Sequence, residues 1–309
     1  QSKPSLRSGL PRTAPTGALP SSAALRTLMV SNAGWKLPFA IAREAVVPLA
    51  GGKVAVAGGM LPDDSSSARA YVLTLATGQS ADLPNLPVDV HDVAGGLFQG
   101  QPATYGGGNS SEQSVVQQFD GKAWHVAAHL PTTRSDLSVA TVSGTTYVLG
   151  GYDGSGVPTE VLAQSGSQPV RAAGHLAVGV RYAATAVVGT SIYLFGGEVS
   201  GAELGVVQRY DIGTGQTTVI ARLPRPLGHA SAVLLGGRIL LMGGRVNPNQ
   251  GTAAMWWFDP ATNKFTRAGS LPSPITDAAV VTAADGLNAW LLGGEDPSVR
   301  NGVVELSLR

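Results

Sequence analysis

One pattern recurs six times along the 309 residues and constrains the fold more than any other feature. A Leu-Pro pair opens each copy, at Leu37, Leu86, Leu130, Leu223 and Leu271, with Leu176-Ala177 as the degenerate case. A Gly-Gly doublet follows 20 to 22 residues later, beginning at Gly58, Gly106, Gly150, Gly196, Gly243 and Gly293. Successive doublets lie 48, 44, 46, 47 and 50 residues apart. A period in this range belongs to repeat architectures, whose units bury their apolar faces only against neighbouring units.

Each copy reads as four short strands. Between Leu-Pro and the doublet lie two apolar runs rich in small and β-branched residues, such as SVATV (138–142) and YVL (147–149). A Gly-containing turn joins them, which is the signature of a hairpin. The doublet closes the second run, where backbone approaches closely or φ turns positive. A polar loop of variable length then leads to a third run, ending in Phe119-Asp120, Tyr210-Asp211 or Phe258-Asp259 in three copies. A turn hands over to a fourth run, such as WHVAAH (124–129) or KFTRAG (264–269). Four antiparallel strands per repeat make one propeller blade. The predicted fold is all-β, a six-bladed β-propeller of four-stranded antiparallel blades.

These motifs resemble the kelch-repeat β-propeller family, whose repeat runs Tyr-x-x-Gly-Gly, then Tyr/Phe-Asp, then Trp. The matching residues are Tyr147, Gly150 and Gly151 in the third copy, and Tyr193, Gly196, Gly197, Tyr210 and Asp211 in the fourth. The second copy supplies Gly106, Gly107, Phe119, Asp120 and Trp124. The resemblance covers residues 30 to 309.

Ring closure follows from arithmetic. Complete copies need 24 to 28 residues from a doublet to the next Leu-Pro, and only 16 follow Gly293. Those 16 suffice for a third strand (302–308) but not a fourth, so the missing strand must come from before Leu37, where ALRTLMV (24–30) and the segment to Trp35 are available. The last blade is therefore expected to be closed by an N-terminal strand. Residues 1–25, rich in Pro, Ser and Gly, read as a linker or arm, and 26–309 as one propeller domain. No apolar run approaches 18 residues, so no membrane-spanning segment is expected. Gln1 in place of Met suggests a processed chain. An exported protein, extracellular, periplasmic or at the cell surface, is the expectation. It would act as a monomer, and a membrane anchor or second domain upstream of Gln1 is left open.

Composition removes several function classes. The formal net charge is +1 and no Lys/Arg cluster occurs, so there is no electrostatic footprint for nucleic acid. The absence of Cys excludes disulfides, and with them the Cys–Tyr cofactor of copper radical oxidases built on kelch scaffolds. The Ser-x-Asp-x-Gly-x-Thr-Trp boxes of six-bladed sialidases are missing too. Neither a metal nor a cofactor is expected.

Candidate site residues come from aligning the copies on the doublet. The segments leading into the innermost strands are Arg43-Glu44, His91-Asp92, Ser135-Asp136 with Arg134 before it, Arg181-Tyr182, Gly228-His229 and Thr276-Asp277. One column thus carries Glu44, Asp92, Asp136, Tyr182, His229 and Asp277, in a chain only 13% charged. His175 lies near the fourth of these segments. Such a ring at the channel mouth would bind a ligand. It would equally serve to satisfy backbone donors and line a water-filled channel. The loops 58–70, 243–255 and 293–301 vary most between copies and are candidate partner contacts. Alternation along a strand puts one of Trp256 and Trp257 inside and the other outside.

Two functions compete. One is a non-catalytic binding module that recognises a protein or a carbohydrate through loops and channel mouth. The other is a sugar-acting enzyme similar to a sialic acid mutarotase, itself a six-bladed kelch propeller, with acid–base residues at the mouth. Arginines and carboxylates converging on an open pocket would favour the enzyme, and an apolar plug the module.

Overall fold

A computed structural model describes residues 26–309. The proposed arm (1–25) lies outside the described residues, as does the start of the 24–30 segment. The described chain is built from strands and turns alone. The first, β1 (Leu28–Asn32), belongs to the last blade. Blade 1 contains β2 (Ala45–Leu49), β3 (Lys53–Ala57), β4 (Ala70–Thr74) and β5 (Ser80–Leu83). Blade 2 contains β6 (Ala94–Phe98), β7 (Gln101–Tyr105), β8 (Val115–Phe119) and β9 (Trp124–His129). Blade 3 contains β10 (Ser138–Val142), β11 (Thr145–Leu149), β12 (Glu160–Ser165) and β13 (Arg171–His175).

Blade 4 starts with β14 (Ala184–Val188) and β15 (Ser191–Phe195). A small hairpin of β16 (Glu198–Val199) and β17 (Ala202–Glu203) interrupts it before β18 (Val206–Asp211) and β19 (Gln216–Arg222). Blade 5 repeats that plan with β20 (Ser231–Leu235) and β21 (Arg238–Met242), the hairpin β22 (Arg245–Asn247) and β23 (Gln250–Gly251), then β24 (Ala254–Asp259) and β25 (Lys264–Ser270). Blade 6 holds β26 (Ala279–Thr282), β27 (Asn288–Leu292) and β28 (Val303–Leu308), with β1 as its outermost strand.

The six innermost strands, β2, β6, β10, β14, β20 and β26, touch one another in sequence and close around a central axis. Six apolar clusters fill the six gaps between adjacent blades. Second strands are buried on both faces, as their unbroken apolar runs require. Each fully buried Leu, Ile or Val there contributes roughly 1.5–3 kcal/mol.

The expected closure is present. β1 pairs antiparallel with β28, from Leu28 opposite Leu308 to Asn32 opposite Val304. Leu28 and Val30 pack against the core between blades 5 and 6, while Met29 points to solvent. The strand lies within the stretch before Leu37 that residue counting left available for it. Trp35 follows it and packs its ring on Gly78 of the blade 1 outer turn.

The doublets act where blades connect. Gly196 adopts φ 62°, and a Cβ there would collide with the Leu227 carbonyl at the approach to blade 5. Gly197 donates its N–H to that same carbonyl at 2.9 Å, binding blade 4 to blade 5. The doublet is thus the place where two backbones touch, which a side chain would prevent.

Candidate functional site

The channel mouth is organised by six residues with left-handed backbone, one per blade. Arg43 (φ 59°), Asp92 (51°), Asp136 (58°), Tyr182 (53°), His229 (57°) and Asp277 (57°) each immediately precede the approach to an inner strand. Non-glycine residues seldom take this conformation, and their clustering marks a place where structure over-determines the backbone. Here the cause is a ring of hydrogen bonds. The N–H of Arg43 donates to the Asp277 carbonyl, Asp136 to Asp92, Tyr182 to Asp136, His229 to Tyr182 and Asp277 to His229, each at 3.0 Å. Between blades 1 and 2 the donor is Val93, to the Arg43 carbonyl at 3.4 Å.

This ring corrects the sequence alignment at one member. Arg43, not Glu44, is the first-blade equivalent. The turn joining β2 to β3 has three residues, because Leu49 pairs with Lys53, whereas the turns of blades 2 to 5 have two. Counting back from the doublet therefore slips by one residue in blade 1.

Three other candidates sit elsewhere. Arg134 is fully buried in blade 3, where Nη1 donates to the carbonyls of Gly150 at 3.2 Å and Glu160 at 2.8 Å. It ties two strands together and does not face the channel, because its left-handed neighbour two residues on carries the ring position. His175 ends β13, the outermost strand of blade 3, with Nδ1 3.4 Å from the Thr159 hydroxyl. His91 stays at the rim, its Nδ1 bonded to Ser66 at 2.8 Å and its Nε2 3.5 Å from Asp92. The Trp pair divides as alternation predicted, with Trp257 buried and Trp256 partly exposed under the Arg267 guanidinium.

Three residues that the sequence reading passed over complete the site. Glu198, Arg245 and Glu295 each directly follow a doublet, and each pairs by a backbone bridge with the residue before a ring member. That fixed offset from Gly-Gly was available in the sequence. Arg43 Nε donates to Glu295 at 2.8 Å, and its Nη1 lies 3.3 Å from Asp92 and 3.5 Å from the Tyr182 hydroxyl. Tyr182 in turn donates to Asp92 at 3.3 Å. Arg181 bonds Glu198 through Nε and Nη2 and reaches Asp136 at 3.4 Å. Arg245 donates to Asp277 at 3.0 Å.

His229 lies between two carboxylates, its Nδ1 2.6 Å from Asp277 and its Nε2 3.3 Å from Glu198, stacked on Tyr182 with ring centroids 3.8 Å apart. Burial works against the imidazolium, but Asp277 and Glu198 outweigh it and raise the His229 pKa. Both nitrogens then donate, so His229 holds a proton rather than exchanging one. Asp277 is fully buried, yet His229 and the two arginines hold it well below the usual carboxylate range. The His229 bond, helped by Arg181, brings Glu198 down to about 2.

Asp136 behaves oppositely: burial and the neighbouring Asp92 charge raise it to about 7. Burial likewise lifts Glu44 to about 8, with Asp277 adding to the effect. Burial together with Asp92 and Asp136 raises the Tyr182 phenol. Taken together, Arg43, Arg181, Arg245 and His229 face Glu44, Asp92, Asp136, Glu198, Asp277 and Glu295.

The ring residues surround a cavity of about 140 Å³ at the mouth. Two wider clefts open beside it. One, of about 490 Å³, lies between the β22–β23 hairpin and the Asp296-Pro297 turn, with Arg43 and Arg245 at its base. The other, of about 320 Å³, runs over Gly108, Tyr152 and Arg181 to Asp92 and Asp136. Arginines and carboxylates therefore do converge on an open pocket, with no apolar plug, although most of their charges are already paired with each other.

A profile of the kelch motif matches residues 180–222 and 226–272, which are blades 4 and 5. The chain is 27% identical to Kelch-like protein 35 of Mus musculus over 196 residues, 62% of this chain and 33% of that protein. It is 32% identical over 122 residues to Kelch-like protein terF of Aspergillus terreus, 36% of this chain and 26% of that one. Over 238 residues it is 26% identical to Alpha-scruin of Limulus polyphemus, 70% of this chain and 25% of that protein. The chain thus spans a quarter to a third of the length of the curated relatives it matches. Six blades, six Gly-Gly doublets closing their second strands and the matched motif agree: the chain is a six-bladed β-propeller with kelch motifs in blades 4 and 5, similar to the kelch-repeat proteins.

Proposed function

We propose that this propeller is a non-catalytic protein-binding module that engages its partner with the mouth face. The observation that carries the reading is the charged mouth itself, held in place by the backbone ring and flanked by two open clefts. Groups fixed by a rigid scaffold lose little freedom when a partner arrives, which favours recognition. The kelch relatives support the same class of function, and the walls of the larger cleft come from two of the three loops singled out by their variability. Export stays part of the proposal on the composition of residues 1–25, and cell fractionation would check it.

The competing reading, a sugar-acting enzyme, draws on the raised Asp136 beside Asp92 and Arg43. The remaining chemistry fits it poorly. His229 has no free nitrogen, and the cavity of about 140 Å³ matches a benzene-sized group rather than a sugar ring. Glycan recognition meets the same limit of size at this cavity.

Photo-crosslinking residues placed at Asn109 and Pro248, on the two cleft walls, test the proposal against Lys122 and Thr262 in turns at the other end of the blades. Crosslinks to one protein from Asn109 and Pro248 alone are the expected outcome. Equal yields from both ends, or from Lys122 and Thr262 only, would remove the mouth from consideration.

A further inference from the structure

The two halves of the mouth are not equally paired. Around Asp277, Glu198 and Glu295 the best contacts run from 2.6 to 3.0 Å or are shorter still. Around Asp92 and Asp136 no basic group is closer than 3.3 Å, and the two carboxyls act directly on each other. The arginines nearest to this pair are drawn away, Arg43 toward Glu295 and Arg181 toward Glu198 with two bonds. In the whole mouth six carboxyl groups face Arg43, Arg181, Arg245, His229 and, at the rim, His91, so the acid surplus is small and lies where pairing is loosest.

A second observation adds an underpaired acid to the same cavity, on its Asp277 side. Glu44 helps line the cavity, is only 6% exposed, and its carboxyl has no side-chain partner, with only the backbone N–H groups of Glu44 itself and Ala279 close enough to act on it. Buried polar atoms without partners are rare, because each costs about 1–3 kcal/mol. Five blades place Val93, Leu137, Ala183, Ala230 and Ala278 at this position, so an acid here is not needed for packing.

We propose that the acid-rich side of the mouth, between Asp92 and Asp136, receives the cationic head of a lysine or arginine side chain carried by a protein partner. The inference rests on the mouth being the partner-binding face. The cavity of about 140 Å³ has room for one such head. The cleft of about 320 Å³ leads to it past Gly108, Ser135 and Tyr152. A metal ion fits less well: among the described residues no three His, Asp or Glu groups are disposed to hold one. An ammonium or guanidinium instead shares its several N–H groups among the carboxylates around the mouth.

The binding would depend on pH. Asp136 faces Asp92, Tyr182 and Arg181, with His91 beside Asp92, and Glu44 faces Asp277 and Tyr71. Their raised protonation has to be reversed for a cation to pair with them, so affinity rises with pH.

The test is an NMR titration of the whole chain with acetyl-Gly-Lys-Gly-amide and acetyl-Gly-Arg-Gly-amide, against acetyl-Gly-Glu-Gly-amide and free n-butylamine, at pH 5 and pH 8. The basic peptides should shift the amides of Asp92, Asp136 and Tyr182, and bind about tenfold or more tightly at pH 8 than at pH 5. Asp136→Asn and, separately, Asp92→Asn should abolish binding, while Asp211→Asn at the far end changes nothing. Preference for the Glu peptide, or equal binding at both pH values, would overturn the inference. Butylamine binding as well as the peptides would assign the site to small amines and overturn the protein partner. Mouth crosslinks without basic-peptide binding would sink this inference alone, and peptide binding without mouth crosslinks would sink the wider reading.

Discussion

Glu44 stands one residue after a ring position, where the neighbouring blades carry only apolar side chains. Its carboxyl is shut away from water, and the neutral form is favoured until about pH 8 instead of the ordinary 4.5. Between those values the folded state holds a proton that the unfolded chain has released. Stability contributed by Glu44 is thus fully present at low pH and declines as pH rises toward 8. Glu44→Gln keeps the shape of the neutral acid and removes that decline. Thermal melts of the two proteins should nearly coincide at pH 5, with the variant melting several degrees higher at pH 8. Parallel pH profiles would mean that the carboxyl is ionised at no cost. The ring residues were legible as a column because polar groups are scarce in this chain. The first member was legible as well, since every ring residue lies six positions after the Leu that opens its copy; counting from the doublet instead lets one extra turn residue put Glu44 where Arg43 stands.

The hairpin that ends in Gly-Gly is the unit from which the molecule is built. Gly189 and Gly196 lie at its two ends with nearly the same φ, 58° and 62°. A Cβ on Gly189 meets nothing within 4 Å, whereas on Gly196 it would strike the Leu227 carbonyl. Gly189→Ala should therefore cost about 1 kcal/mol, the price of left-handed backbone alone. Gly196→Ala should cost roughly 3 kcal/mol more, because two blades must separate to admit the methyl group. Urea unfolding midpoints measure both, and equal losses would show that the doublet is conserved in each repeat for φ rather than for close approach. The strand pattern and its turns were readable from runs and glycines. The hairpins β16–β17 and β22–β23 were not, since their two- and three-residue strands carry no periodic signal. Glu198, Arg245 and Glu295 were missed for a related reason: each opens a variable loop, where no column is sought.

At the level of the whole ring, closure depends on residues far apart in sequence. β28 has β27 on one side and β1 on the other, and the five pairs between Leu28 and Asn32 are the join. A chain starting at Ala33 would leave the backbone edge of β28 bare and uncover apolar surface between blades 5 and 6. Its melting temperature should fall by about 10 °C or more, and a synthetic peptide covering residues 26–36 should restore much of the loss. An unchanged melting temperature would show that the six inter-blade cores hold the ring without the join. This closure was legible from residue counting alone, because a propeller with too few residues after its last doublet has only one other source of a strand.

That join also sets an order of events during synthesis. Among the described strands β1 leaves the ribosome first and its partner β28 last. Five blades can pack while the opening strand waits with both edges unpaired. Throughout translation the nascent protein thus presents an adhesive strand to its surroundings, and a chaperone or a second nascent copy could capture it before the ring is sealed.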